Sequence, residues 1–258
     1  MRRFLTTTTA VLILAGCASA SPAPPPEPSA PAYTATGRPT PYLAKAVDGL
    51  SIIGPPPAAG SADLAADQAA IEATRAVLDT PRGAQAVEDV KLFEPGAFRS
   101  WSCAAGVEIG PETTPVLTRL LHRSLIDAGT STNPPKDHYK RDRPFIGNQR
   151  RICVAPESLR GSASYPSGHS AVGFAWGLIL AELVPARADA LLIRGREFGD
   201  SRVICGVHYP SDIQAGRILG ASTVARLHAE PAFIEDLAAA KGEIAGAPPP
   251  ADCSGPKP

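Results

Sequence analysis

Apolar side chains recur along most of this chain at helical spacing, and the two-residue alternation of half-buried strands is scarce. Residues 62–78 are Ala-rich and place Leu64, Ile71 and Leu78 a heptad apart on one face. Residues 114–128 begin with Thr114, which predicts a cap, and Pro115, which suits a first helical position. Leu117, Leu120, Leu121 and Leu125 follow at helical spacing, and Gly129 ends the segment. Residues 168–184 predict an apolar helix of core character, broken at Pro185 and followed by a helix from about Ala186 to Ile204. The next helix is expected to begin at Ser211, where Ser211 and Gln214 form a capping-box pattern, and to carry Ile213, Ile218, Leu219 and Val224. A last helix starts near Pro231. The expectation is a single all-α helical-bundle domain over residues 42–242, and a hydrophobic content of 44% is enough for its core.

The ends of the chain read differently. Residues 1–20 predict an export signal, with Arg2 and Arg3 ahead of an apolar stretch that includes Val11 to Ala15 and is too short to span a bilayer. Two cleavage readings stand side by side. Ala18-Ser19-Ala20 is an ordinary small-residue site, whereas Leu14-Ala15-Gly16-Cys17 resembles a bacterial lipobox that leaves Cys17 lipidated. Both place the protein in the periplasm, either soluble or tethered by a lipid anchor, and no later apolar run approaches a membrane span. Residues 21–41 are Pro-rich and predict a semi-rigid, unpacked tether. Residues 243–258 predict a Pro-rich tail that Cys253 can pin. Cys103, Cys153, Cys205 and Cys253 suit two disulfides in an oxidising compartment, with three pairings open, and no pair has zinc-ligand spacing. Lys plus Arg and Asp plus Glu both number 25, which offers no support for a nucleic-acid partner.

Three short clusters carry chemistry. The first holds Lys136 and Arg143-Pro144, the second is Pro166-Ser167-Gly168-His169, and the third runs from Ser201-Arg202 through His208 to Asp212. Lys136, Arg143 and Arg202 are three fixed cations suited to the oxygens of a phosphate group. Ser167 and Gly168 open an apolar helix, whose first N–H groups attract phosphate, and Gly168 lets the backbone approach closely. His208 and Asp212 lie four residues apart, so the carboxylate can fix the tautomer of a histidine nucleophile. His169 then protonates the leaving alcohol and later activates water. Lys140 and Arg141 read as surface charges, His122, His138 and His228 as exposed or structural, Trp176 as core, and Tyr165 and Tyr209 as pocket wall or core.

These residues resemble the signature of the phosphatidic-acid-phosphatase type 2 superfamily, and within it the bacterial class A non-specific acid phosphatases. All three parts match without an internal insertion, over residues 136–212. The resemblance implies an all-helical fold and an acid phosphatase acting on small phosphate monoesters through a phosphohistidine, with no metal or other cofactor and an acidic optimum. It implies phosphate binding by Lys136, Arg143, Ser167, Gly168 and Arg202, with His169 as general acid, His208 as nucleophile and Asp212 as its orienting partner. Self-association as a homo-oligomer is also implied. Vanadium haloperoxidases share the constellation, but this chain is short for that group. A lipid-phosphate phosphatase is disfavoured by the lack of membrane spans.

Overall fold

The computed structural model describes residues 33–254. The expected export signal, Cys17 and the expected tether up to residue 32 lie outside the described residues. Among the described residues the fold is all-α, and the only extended pairing is an isolated bridge between Tyr33 and Pro39. The helices run α1 (Gly49–Ile52), α2 (Ala62–Ala73), α3 (Pro81–Glu88), α4 (Arg99–Ala105), α5 (Pro115–Thr130), α6 (Asn133–Tyr139), α7 (Gly168–Leu183), α8 (Ala188–Ile204), α9 (Pro210–Leu227) and α10 (Pro231–Gly246).

Helix α7 is the centre, packed against α8, α9 and α5. It is largely apolar around its circumference, with Glu182 exposed near its end, as suits a helix enclosed by neighbours. Trp176 is fully buried and donates its indole N–H to the Leu121 carbonyl on α5 at 2.8 Å. Trp101 from α4 and Phe198 from α8 pack around Trp176. Truncating such a residue to alanine costs about 3–5 kcal/mol. Two glycine contacts set how closely the helices approach. A Cβ on Gly177 of α7 would stand 3.1 Å from the Gly195 Cα of α8. A Cβ on Gly220 of α9 would stand 2.3 Å from the Ala171 carbonyl oxygen of α7. Backbone therefore meets backbone along the faces α7 turns to α8 and α9.

Several helix ends differ from expectation for identifiable reasons. Helix α2 stops at Ala73 and a 3-10 turn, Arg75–Asp79, takes over, where the periodicity predicts one helix to residue 78. Helix α8 starts at Ala188 after a 3-10 turn at Pro185–Arg187. Thr114 makes no side-chain cap for α5. Instead the Glu243 carboxylate of α10 accepts the Val116 and Leu117 N–H groups, both at 2.9 Å. Helix α9 begins at Pro210, not Ser211, with Tyr209 as its N-cap, and the Asp212 carboxylate accepts the Tyr209 N–H at 2.8 Å. Helix α10 runs to Gly246, past residue 242.

The described residues nearest each end are held where the composition predicts loose segments. Arg123 donates to the carbonyls of Thr40 and Pro41, so the end of the expected tether is packed. The Glu108 N–H donates to the Pro248 carbonyl, and a Cys103–Cys253 disulfide pins the tail. The second disulfide joins Cys153 to Cys205.

Candidate active site

The third cluster spans the end of α8, the turn after it and the start of α9. Asp212 and His208 are both buried. The Asp212 carboxylate accepts from His208 Nδ1 at 3.3 Å, from the Ser164 hydroxyl at 2.5 Å and from Arg141 at 2.6 Å. Arg143 donates to His208 Nε2 at 3.1 Å. A guanidinium keeps all its protons and only donates. Nε2 is therefore the bare nitrogen, and Nδ1 carries the hydrogen toward Asp212. Burial drives His208 down to about 3, with Arg143 and Lys136 adding to it against the pull of Asp212. Burial alone would raise Asp212, but its bond to His208, the charges of His208 and Arg141, and Ser164 outweigh it and hold the carboxyl below its ordinary value.

Arg143 and Lys136 bear on this imidazole and Arg202 on Arg143 and His169, and none of the three cations forms an ion pair among the described residues. Arg143 is 6% exposed and directs its fork at the Ser162 carbonyl (2.8 Å) and the Val207 carbonyl (2.9 Å). Lys136 donates to the Ala163 carbonyl at 2.5 Å. Burial, followed by the Arg143 charge, pushes Lys136 down to about 7. Arg202 is 1% exposed, and its Nε and one terminal nitrogen have no hydrogen-bond partner among the described residues. Burial and then Arg143 lower it to about 10. Orphaned buried N–H groups on a cation cost stability, on the order of 1–3 kcal/mol, and they suit an anion that completes them.

The second cluster adds a helix N-terminus. Ser167 caps α7, its oxygen accepting the Ser170 N–H at 3.3 Å, which leaves the hydroxyl hydrogen free to donate. Its own N–H donates to the Asp212 carbonyl at 3.0 Å, tying the second cluster to the third. The next N–H groups, on Gly168 and His169, have no partner within the helix. His169 Nε2 lies 3.1 Å from the Val90 carbonyl, which only accepts, so Nε2 is protonated and Nδ1 is the nitrogen left for a ligand. Burial, then Arg202, with His208 and Arg143 behind it, hold His169 well below its ordinary value. A phosphate dianion bound among these groups reverses the sign of that influence. A groove of about 1080 Å³ opens beside Lys136 and Arg143, walled by the 140–163 loop, with Phe145, Ile146 and Leu159 among its apolar residues.

Every site residue expected from sequence thus lies in or against one locale. One reading is corrected: Arg141 is not a surface charge. Its side chain is 10% exposed and bridges Asp212 at 2.6 Å and Asp67 of α2 at 2.8 Å. Asp67 and Ser164 were not read from the sequence as site residues. Ser164 sits two residues before Pro166 in a polar loop and gave no signal. Asp67 did: a carboxylate three residues after Leu64 and four before Ile71 lies on the apolar face of α2, where a charge needs a partner. His122 packs between Phe93 and Phe98 as a structural residue.

Residues 118–231 match the PAP2 superfamily. The chain is 39% identical over 221 residues to a non-specific acid phosphatase of Providencia stuartii, a match covering 83% of this chain and 89% of that protein. It is 35% identical to an acid phosphatase of Zymomonas mobilis, covering 84% of this chain and 83% of that protein. It is 37% identical to a non-specific acid phosphatase of Salmonella typhimurium, covering 82% and 87%. With a single all-α domain, the signature residues gathered around one imidazole and likeness running through most of its length, the chain belongs to the PAP2 superfamily, among the bacterial non-specific acid phosphatases.

Proposed function

We propose that the protein is a secreted, periplasmic acid phosphatase that hydrolyses phosphate monoesters of broad specificity through a phosphohistidine on His208, without a metal ion. The observation that carries the reading is His208 itself: a neutral imidazole with a bare Nε2 facing Arg143, which lies beside the buried Arg202, two of whose nitrogens have no partner among the described residues. Lys136, Arg143 and Arg202, with the α7 N-terminus, supply the charge that stabilises the three equatorial phosphoryl oxygens. In the first step a bond forms from His208 Nε2 to phosphorus, the ester P–O bond breaks, and His169 delivers its proton to the departing oxygen. In the second step His169 takes a proton from water, the water oxygen bonds phosphorus, and the N–P bond breaks. Asp212 holds the Nδ1 hydrogen throughout and balances the charge that builds on the ring. The acidic optimum follows, because His169 must be protonated while His208 is bare.

Acid phosphatase activity of the named relatives supports the reaction class. The amino-terminal signal supports export, and Cys17 supports a lipid anchor in place of a membrane span. The test is p-nitrophenyl phosphate hydrolysis at acid pH in excess chelator, coupled to rapid quench and isolation of the acid-labile phosphoenzyme. Turnover with chelator present and label on His208 is the expected result. Activity restored only by a divalent metal, or label on another residue, would overturn it.

A further inference from the structure

Arg141 and Asp67 lie outside the three signature clusters' assigned residues, yet they reach the nucleophile by bonded contacts alone. Asp67 sits on α2 and is 4% exposed. It accepts the Ser211 N–H at 3.0 Å, the Ser211 hydroxyl, and one arm of Arg141. The other Arg141 arm donates to Asp212 Oδ1 and to the Ser211 hydroxyl at 2.7 Å, and the guanidinium lies 4.1 Å over the Tyr209 ring. Asp212 Oδ2 receives the other three donors: Ser164, the Tyr209 N–H and His208. Each carboxylate oxygen thus has a separate task.

We infer that Asp67 and Arg141 are positioning residues for the reaction, forming a buried Asp67–Arg141–Asp212 bridge that holds the carboxylate on His208 and preserves its negative charge. The assignment rests on His208 being the nucleophile. The charge count gives the reason. Arg141 alone against Asp212 sums to zero, leaving His208 without a net anionic partner. Asp67 supplies the second negative charge, so the triad carries one net negative charge beside the imidazole as it becomes cationic on attack. Geometry gives the second reason. Arg141 is the only one of these donors that engages Oδ1, so its loss frees a carboxylate that is otherwise fixed only through Oδ2.

The charged and titratable groups facing Asp212 are His208, Arg141, Lys136 and Arg143, with Tyr165 and Tyr209 behind them. Arg141 favours the ionised carboxylate. Burial works against the Arg141 charge, but Asp212 and Asp67 together outweigh it.

The two halves of the bridge therefore fail differently. In Asp67→Asn, kcat falls about 10- to 100-fold, the size usual for loss of a group that orients a reacting residue. KM stays within about threefold, and the acid limb of the pH profile does not move up. In Arg141→Gln, kcat falls similarly and the acid limb moves to higher pH, because Asp212 loses a cation. Arg141→Lys restores the limb but not kcat, since one ammonium cannot span two carboxylates. The independent readout is the His208 Nδ1 proton in ¹⁵N-histidine-labelled protein, expected to shift upfield in Asp67→Asn and Arg141→Gln. It reads the bridge even if wild-type enzyme fails to hydrolyse phosphate, an outcome that would sink the proposed function and leave the bridge standing. Folded Asp67→Asn with unchanged kcat and an unchanged Nδ1 resonance would overturn the bridge. If Asp67→Asn does not fold, Arg141→Lys decides, and wild-type kcat in that variant refutes it.

Discussion

Arg123, 4% exposed, lies 3.7 Å from the centre of the Tyr42 ring, with the Thr40 and Pro41 carbonyls and Asp236 around its fork. Arg202, 1% exposed, keeps Nε and one terminal nitrogen without partners among the described residues. Around Arg123 the polar groups answer one another. Arg119 pairs with Asp236 at 2.7 Å, the Tyr42 hydroxyl donates to Asp236 at 2.5 Å, and the Tyr42 and Leu43 N–H groups donate to Asp127. Around Arg202 the cations Lys136 and Arg143 face carbonyl oxygens, and the Asp212 carboxylate is taken up by His208, Ser164 and Arg141. The first region is a clasp that fastens the start of the domain to α5 and α10. The second concentrates positive charge at a cost in stability, which only a bound anion offsets. Burial of arginine thus serves two opposite ends within one small fold, and the partner list tells them apart.

The strongest test of the second region is His208→Ala. Turnover is expected to fall by on the order of 10⁵-fold, as for removal of a nucleophile, while the thermal midpoint holds. Substantial residual kcat in steady-state assays would mean that charge concentrates there for another purpose. Next comes His169→Ala, which should lower kcat by about 10²- to 10⁴-fold on an alkyl phosphate. With p-nitrophenyl phosphate, whose leaving group needs no proton, phosphoenzyme should accumulate, measured as a burst.

Arg202→Met sharpens the comparison directly. It should lower kcat/KM by about 10²- to 10³-fold and yet raise unfolding stability by about 1–3 kcal/mol, because it removes orphaned N–H groups. Denaturant titration reads the second half, and a loss of stability would mean that Arg202 is paired like Arg123.

pH dependence separates the regions by sign. In the site, turnover of an alkyl phosphate should fall as pH rises, since His169 loses its proton, while His208, at about 3, stays bare across the acid range. His208 lies below its ordinary 6.5, so its contribution to stability is present above 6.5 and is lost as pH falls toward 3. In the clasp, burial raises Asp127 from 3.8 to about 6. Its contribution to stability is therefore complete below about 4 and is lost as pH rises through about 6. A gap of about two units corresponds to about 3 kcal/mol. Asp127→Asn should remove that portion of the wild-type stability profile between pH 4 and pH 6, followed by denaturant unfolding. An unchanged profile would show that the clasp is not pH-sensitive.

The helices and the site were legible in the sequence to different depths. Leu117, Leu120, Leu121 and Leu125 marked the buried face of α5, and all four are buried. The cap of the same helix was misread at Thr114, because Glu243 reaches it from a helix more than a hundred residues away. Lys136, Arg143, Ser167, Gly168, Arg202, His208 and Asp212 stand out in the sequence because spacing along the chain is local information. Arg141 lies within the same stretch as Arg143, and its sequence context predicts a surface charge where the structure buries it. Nothing in that stretch shows that Asp67, on α2, stands opposite it. Ser164 was missed for the same reason, since its role depends on where Asp212 arrives.

The residue order alone determined that the chain makes amphipathic and apolar helices, that three cations and two histidines stand in a spacing suited to phosphate, and that Ser167-Gly168 opens an apolar helix. Those follow from side-chain periodicity and local backbone chemistry, which act over a few residues. The tertiary structure decided which guanidinium is compensated and which is left unpaired, which helix end is capped by a distant carboxylate, and that α2 stands behind the His208–Asp212 pair. Charge pairing in a buried site depends on distances of a few ångströms between segments far apart in the chain, and the packing of α2, the loop that carries Arg141, α7, α8 and α9 sets those distances.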